Sequence, residues 1–214
     1  MNTLFSYTPL LLQGISITIA AWFVSGSISL MIGTILGITS AQQVGSKGII
    51  ILIRTYSFIT RGIPAYVQIL IGYFVIPSIT GLNISGFTAS TCALGICASG
   101  YVTEIIRGGI NTIPQGQWDS CHTLGFSLKD TIRYIILPQA LKIMTPSLIG
   151  EYEQLVKSTS LLAAIGVTEL TRAGMNIISR ELNPLPVYCI IACFYLLFSA
   201  IFNLLIIMTQ NKSE

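Results

Sequence analysis

Residues 111–133, NTIPQGQWDSCHTLGFSLKDTIR, form a polar stretch between two strongly apolar segments of the chain. Pro114 suits the first turn of a helix and Gly125 suits a C-terminal stop, so we predict a short helix over residues 115–124. Ser127 can cap a second helix that continues into the next apolar segment. Two short helices bent at a glycine would form a compact knob at a membrane surface. From its shape alone, the knob is either a plain connector or a binding surface for a soluble partner.

The composition defines the class of protein. Of the 214 residues, 52% are hydrophobic and 9% are charged, whereas a soluble domain has about 25% charged residues. Several apolar runs exceed the roughly 18 residues that a helix needs to cross a bilayer. We therefore predict an all-α integral membrane protein with a single domain, residues 1–214, and no soluble appendage. The net charge of +3 is too small to indicate a nucleic-acid partner.

The cysteines and the N-terminus suggest no further chemistry. The five cysteines lie mostly inside apolar runs and show neither a CxxC pair nor a metal-ligand spacing. We expect no disulfide framework and no metal site. Residues 1–7 lack the positive start and the small-residue cleavage site of a removable signal peptide. The cysteines are Cys92, Cys97, Cys121, Cys189 and Cys193.

Five apolar segments predict five crossings. Pro64 and Gln68 lie inside the second segment, which we expect to begin with a helix over residues 49–61. Pro138 and Pro146 are expected to break the fourth. The mixed residues 157–183 predict an irregular loop with short helices. The predicted spans are residues 9–38, 49–80, 87–107, 132–156 and 187–208.

Small residues predict close helix packing. Gly33 and Gly37 have the small-xxx-small spacing that lets membrane helices approach each other, although this motif is weak alone. The third segment is rich in alanine, glycine and serine, a composition typical of helices that face other helices.

The distribution of lysine and arginine predicts the orientation, because cytoplasmic loops carry an excess of both. With five crossings and an external N-terminus, the cytoplasmic side receives eight of them and the outer side three. The 111–131 loop then faces the cytoplasm. The eight are Lys47, Arg54, Arg61, Arg107, Lys129, Arg133, Lys142 and Lys212, and the three are Lys157, Arg172 and Arg180.

The chain contains no phosphate-binding GxxxxGK[ST] loop and no credible nucleophilic triad, so we do not expect it to be an enzyme. Ionisable groups at membrane depth usually face a cavity or a partner, because burying one costs about 2.5–3.5 kcal/mol on insertion scales. Glu104 can pair with Arg107, and Glu153 with Lys157 four residues on. The alternative is that some of the four residues Glu104, Glu151, Glu153 and Lys157 lie on the wall of a hydrophilic pocket, and the two interpretations can coexist.

Several sequence blocks, in order over nearly the whole chain, closely resemble the membrane-spanning subunits of bacterial ABC importers for polar amino acids. The blocks are Thr60-Arg-Gly-Ile-Pro-Ala-Tyr-Val-Gln68, Tyr101-Val-Thr-Glu-Ile-Ile-Arg-Gly-Gly-Ile110, Ile113-Pro-Gln-Gly-Gln-Trp118, Leu124-Gly125, Ile136-Leu-Pro-Gln-Ala-Leu141 and Lys157-Ser-Thr-Ser-Leu161.

This resemblance implies a type I permease with five transmembrane helices in the bacterial inner membrane, with its N-terminus outside and its C-terminus inside. It implies a second permease, identical or similar, two cytoplasmic ATPase subunits that hold ATP and Mg, and an external solute-binding protein. The chain itself would bind no cofactor.

In the family, the loop after the third crossing couples the permease to the ATPase and normally reads Glu-Ala-Ala, three further residues, then Gly. Here the triplet is Asp119-Ser120-Cys121, followed by Gly125. Charge sign and small size are therefore kept, while the detailed fit to the ATPase groove changes. The coupling residues that the resemblance implies are Gln117, Trp118, Asp119, Ser120, Cys121, Leu124 and Gly125.

An importer for amino acids needs partners for a carboxylate and an ammonium group. We expect Lys157 with its neighbouring hydroxyl residues to serve the carboxylate, and Glu104 or Glu151 to serve the ammonium. The carboxylates slightly favour a cationic amino acid, and glutamine remains open. The expected pathway residues are Glu104, Glu151, Lys157, Ser158, Thr159 and Ser160.

Two other classes of membrane protein remain as alternatives. A secondary amino-acid transporter would carry its own coupling-ion site and usually a larger, repeated helix set, which this sequence lacks. A channel subunit not driven by ATP would not need the cytoplasmic knob.

Overall fold

The computed structural model describes residues 6–210, and the regular elements in that part of the chain are all helical. The predictions that concern Lys212 and the first five residues lie outside the described range. The helices are α1 (Thr8–Thr39), α2 (Lys47–Gly62), α3 (Ala65–Thr80), α4 (Gly86–Asn111), α5 (Gln115–Thr123), α6 (Leu128–Ile165), α7 (Leu170–Glu181) and α8 (Pro184–Gln210).

Three helices of the described chain, α1, α4 and α8, are long and apolar enough to cross a membrane. The predicted spans 9–38, 87–107 and 187–208 lie within these helices. Two further crossings are possible if the bent pairs α2–α3 and α6–α7 each count as one span, with bends of 95° and 48°. The helical class is as predicted, and the division into five spans stays a prediction.

Glycines bring α1 against α4, the most buried of the long apolar helices. A Cβ at Gly33 would lie 2.5 Å from Cγ1 of Val102, and one at Gly37 would lie 2.7 Å from Cβ of Ile106. Neither distance leaves room for a side chain. The spacing of Gly33 and Gly37 therefore serves close packing of α1 against α4.

Two glycines of α4 give a matched test of this packing. A Cβ at Gly95 would lie 2.7 Å from Cβ of Ile28 and 3.1 Å from the carbonyl oxygen of Ser25, whereas Gly108 faces open space. We expect Gly95→Ala to destabilise the protein by about 1–3 kcal/mol through overpacking. Gly108→Ala should not lower stability. Thermal unfolding in detergent measures both variants, and equal effects would contradict this account of the interface.

Helix α6 runs without a break through both of its prolines, so the predicted interruption of the fourth span is wrong. A wide π-helical turn, Thr131–Ile136, directly precedes Pro138. In this turn the N–H of Leu137 donates to the carbonyl of Ile132, five residues back, and the wider turn makes room for the proline ring. Pro146 lies inside the regular helix that follows.

The segment between α6 and α8 is more regular than the expected loop, because α7 is firmly attached to its neighbours. Glu169 is fully buried, and its carboxylate accepts the N–H groups of Thr171 and Arg172 at the start of α7. At the other end, the Tyr7 hydroxyl donates to Glu181 at 2.6 Å. This hydrogen bond is the main reason that the pKa of Tyr7 is raised.

Candidate functional site: a charged cavity and an exposed knob

The sharp bend between α2 and α3 creates one wall of a cavity. Helix α2 ends at Gly62, and α3 begins at Ala65, after Pro64. The two helices meet at 95°. Proline at this point cannot continue the hydrogen bonding of α2, so the chain can turn here. The predicted single segment 49–80 is therefore two helices with a corner, and the corner faces α4 and α6.

A cavity of about 380 Å³ lies beside this corner. Its volume falls within the range of small-molecule sites. Two other cavities, of about 370 and 290 Å³, have no charged residue in their walls, and a more open one of about 540 Å³ beside the knob has two basic residues, Lys129 and Arg133, but no acidic one. The walls of the charged cavity are formed by Arg61, Ile63, Pro64, Ala65, Leu94, Cys97, Ala98, Tyr101, Glu151, Gln154, Leu155 and Ser158.

Opposite charges face this cavity from different helices. Arg61 belongs to α2; its Nε donates to the carbonyl of Ser57 at 3.2 Å, and its guanidinium carbon lies 5.8 Å from the centre of the Tyr101 ring. Glu151 belongs to α6 and is half-buried. Neither side chain takes part in an ion pair within residues 6–210. A cation and an anion are thus both available to a molecule in the cavity.

Arg61 was not predicted as a pathway residue, because its charge was assigned to the cytoplasmic side. The structure places its side chain against α4, and the side of the membrane to which it belongs stays a prediction. A Cβ at Gly100 would lie 3.3 Å from Cγ of Arg61, so the arginine packs beside the middle of α4 rather than at a loop. An arginine within a long apolar segment, three residues before a proline, is the signal that could have identified it.

Among the predicted pathway residues, Glu151 and Ser158 line the cavity. Glu104 does not; it lies one helical turn beyond Tyr101 on α4 and forms an ion pair with Arg107. The pairing considered for Glu104 in the sequence is therefore present, and a pathway role for it stays a prediction.

The remaining members of the 157–160 block also lie outside the cavity walls. Lys157 Nζ contacts Glu153 Oε1 at 2.7 Å, the second pairing considered in the sequence. The hydroxyls of Thr159 and Ser160 donate to carbonyls of their own helix, at 2.6 and 2.7 Å. Their side chains are thus engaged locally, and their part in the pathway stays a prediction.

The knob is helix α5 with the bend that follows it. The predicted coupling residues divide into two faces. Trp118 and Cys121 are buried and anchor the helix, with Trp118 packed in a cluster that includes Ile110 of α4 and Met144 of α6. The exposed face carries Gln117, Asp119, Ser120, Leu124 and Gly125.

Exposed apolar side chains cluster at the bend itself. Leu124, Phe126 and Leu128 are 75%, 42% and 50% exposed. Phe126 and Leu128 were not among the predicted coupling residues, although three apolar side chains at alternate positions within a polar stretch are visible in the sequence. Such an apolar patch is typical of a protein contact.

Gly125 ends α5 in a Schellman motif. The N–H of Phe126 donates to the carbonyl of Cys121, and that of Gly125 donates to His122. Gly125 has a φ of +79°, which glycine adopts without strain. Ser127 then caps the next helix by accepting the N–H of Asp130. The stop and the cap predicted from the sequence are both present.

The knob is also braced from the side by the turn after α1. The backbone N–H of Gln42 donates to Oδ1 of Asn111 at 3.1 Å, and Nε2 of Gln43 donates to Oε1 of Gln115 at 3.3 Å. The first contact joins this turn to the end of α4 and the second joins it to α5, so together with the buried Trp118 they hold α5 against α1 and α4. A force applied to the knob would therefore reach the membrane helices.

A helical membrane body with a charged cavity and an exposed knob is typical of a membrane transport permease. The chain belongs to the family described as binding-protein-dependent transport system inner membrane components, whose model matches residues 33–210. It is a multi-pass membrane protein with the fold of a type I ABC importer permease.

Two relatives illustrate the similarity. The chain is 33% identical to the glutamine transport system permease protein of Escherichia coli (strain K12), covering 96% of this chain and 94% of the relative. It is 31% identical to the arginine transport system permease protein of Bacillus subtilis (strain 168), covering 91% and 90%.

Solved structures agree on the fold. A crystal structure of an amino acid ABC transporter with histidines superposes with a TM-score of 0.88 at 31% identity, covering 98% of this chain and 97% of that one. The methionine ABC transporter MetNI in an inward-facing conformation superposes with a TM-score of 0.77 at 20% identity, covering 94% and 97%, and supports the fold alone.

Proposed function

We propose that this chain is the permease subunit of an ATP-driven importer of polar amino acids, and that the charged cavity holds the amino acid during translocation. The observation that carries the proposal is the presence of Arg61 and Glu151 in the walls of one cavity. Every free amino acid carries a carboxylate and an ammonium group at neutral pH. Arg61 binds the carboxylate, because guanidinium matches its geometry, and Glu151 binds the ammonium.

The rest of the cavity wall accommodates a polar side chain. Gln154 and Ser158 add neutral hydrogen-bonding groups, whereas Leu94, Ala98 and Leu155 are apolar. The relatives transport glutamine and arginine according to their names. A polar amino acid is the class that these walls and these names support together, with Glu151 replacing Glu104 as the first partner for the ammonium group.

The partners follow from the family and from the knob. The complex contains two ATPase subunits. The exposed face of α5 and the apolar patch of Leu124, Phe126 and Leu128 form the surface of this chain that binds an ATPase subunit. A second permease, identical or similar, completes the membrane body, and an extracytoplasmic binding protein delivers the amino acid. ATP and Mg belong to the ATPase subunits. Coupling requires that the knob contacts differ between the open and closed ATPase dimer.

The orientation remains part of the proposal. Without Arg61, the lysine and arginine count is seven for the cytoplasmic side and three for the outer side. This excess supports an external N-terminus, a cytoplasmic C-terminus and a cytoplasmic knob in the bacterial inner membrane. Gly81 and α7 then lie toward the outer surface.

Purification in detergent tests the transport class. We expect an ATPase subunit to co-purify with the chain when both are expressed together. In proteoliposomes, ATP hydrolysis should rise when the loaded binding protein is added, and uptake of labelled L-arginine or L-glutamine should require ATP. Uptake driven by an ion gradient, with no ATPase present, would contradict the proposal and favour a secondary transporter.

A further inference from the structure

The corner between α2 and α3 leaves two backbone carbonyls, those of Thr60 and Ile63, without a helical donor. In an α-helix the carbonyl of residue i accepts the N–H of residue i+4. For Thr60 that residue is Pro64, which has no N–H. The carbonyl of Ile63 lies beyond the end of α2, where the chain turns. In the apolar interior of a membrane, a carbonyl left without a donor is costly, so each of these two groups needs another partner.

A single side chain supplies both donors. Nε2 of Gln68 lies 2.7 Å from the carbonyl oxygen of Thr60 and 2.8 Å from that of Ile63. An amide NH2 has two hydrogens, so it can donate one to each carbonyl. The thiol of Cys97 makes a weaker contact with the Thr60 carbonyl at 3.6 Å. Gln68 thus connects the end of α2 to the first turn of α3 across the 95° bend.

Arg61 lies within the segment that Gln68 holds. The two carbonyls that accept from Gln68 belong to residues 60 and 63, one on each side of Arg61. In the described chain, the guanidinium group makes one hydrogen bond, to the carbonyl of Ser57, and one ring contact, with Tyr101. Arg61 is the next-to-last residue of α2, so a change at the corner would shift this side chain relative to Tyr101 of α4.

We propose that Gln68 is a positioning residue: its amide replaces the donors missing at the Pro64 corner and so holds Arg61 in place to bind the substrate carboxylate. This role rests on the proposed function of the cavity. It predicts that loss of the Gln68 amide impairs recognition of the carboxylate in particular, since the other walls of the cavity belong to α4 and α6.

The test uses the purified complex with its ATPase and measures equilibrium binding of an amino acid and its α-amide, which lacks the carboxylate charge. The probes are two pairs, L-arginine with L-argininamide and L-glutamine with L-glutaminamide. The pair whose free amino acid (called the acid below) binds more tightly is used. The wild-type complex should prefer the acid by about tenfold or more, the strength of one hydrogen bond to a charged group. Gln68→Met, similar in length but without a donor, should lose most of this preference.

Comparison with Arg61→Gln separates positioning from general stability. Arg61→Gln should lose the same preference, and the double variant Arg61→Gln/Gln68→Met should lose no more than Arg61→Gln alone, since both changes remove one interaction. A merely structural role predicts equal weakening of acid and amide. It also predicts further loss in the double variant.

Each alternative result has a defined meaning. If Arg61→Gln loses the preference and Gln68→Met keeps it, the positioning role is wrong and the cavity proposal stands. If the wild type binds acid and amide equally, or binds none of the probes, both proposals are wrong. Gln68→Leu, which is uncharged and also lacks a donor, replaces the methionine variant if that one does not assemble. Failure of both to assemble would show that Gln68 is needed for the fold and would overturn the positioning role.

Discussion

Replacing either charged residue of the cavity should nearly abolish transport. We expect Arg61→Gln and Glu151→Gln each to lower ATP-dependent uptake into proteoliposomes by about 10- to 100-fold. A hydrogen bond to a charged group contributes about 1.5–3 kcal/mol, and each 1.4 kcal/mol is a factor of ten in affinity. Glu151→Gln keeps the size of the side chain and removes its charge, whereas Arg61→Gln removes the guanidinium group but leaves an uncharged polar side chain.

The chain provides matched controls for this prediction. Arg61→Lys keeps the positive charge but not the planar guanidinium group with its paired N–H donors, and we expect an intermediate loss of uptake. Glu104→Gln changes a carboxylate that lies outside the cavity wall and pairs with Arg107. If Glu104→Gln impairs uptake as strongly as Glu151→Gln, the pathway extends along α4 as the sequence suggested. Unchanged uptake in both Arg61→Gln and Glu151→Gln, with the ATPase still co-purifying, would rule out the cavity as the substrate site.

Local signals in the sequence were enough to predict the long helices and the knob. The apolar runs determine α1, α4 and α8 because a bilayer admits only backbone that is hydrogen-bonded within itself. The end of α5 is encoded in one residue, Gly125, and the start of α6 in another, Ser127. Each of these features depends on residues within one or two helical turns, which a pattern can reveal.

The cavity could not be predicted in the same way, because its charged residues come from helices that are distant in the sequence. Arg61 and Glu151 meet only after α2, α4 and α6 pack together and Pro64 turns the chain through 95°. A proline predicts a break but not its angle, as α6 shows, where the helix passes Pro138 by widening one turn. Glu151 could be recognised as a candidate, but its place in the same cavity as Arg61 depended on tertiary packing.

Replacing Gly125 with valine should uncouple ATP hydrolysis from uptake. The φ of +79° at Gly125 is unfavourable for a β-branched residue, and holding such a residue there costs about 1–3 kcal/mol. The chain would relieve this strain by changing the angle between α5 and α6, so the knob would no longer transmit the ATPase movement. We expect hydrolysis to continue while uptake falls by about tenfold or more, both measured in the same proteoliposomes.

Two comparisons test whether the conformation of the bend causes the uncoupling, rather than a general loss of stability or a direct contact at residue 125. Gly81 also has a positive φ, +70°, and faces open space, but it ends α3 rather than the knob. Gly81→Val should therefore lower stability to a similar extent and leave uptake per ATP unchanged. Gly125→Asn introduces a side chain that tolerates the left-handed conformation, and a Cβ at this position would face open space in this chain. Coupling should survive in Gly125→Asn if the angle of the bend is what matters. If asparagine uncouples as strongly as valine, the ATPase packs directly against residue 125, and coupling depends on a close contact at the bend rather than on its angle.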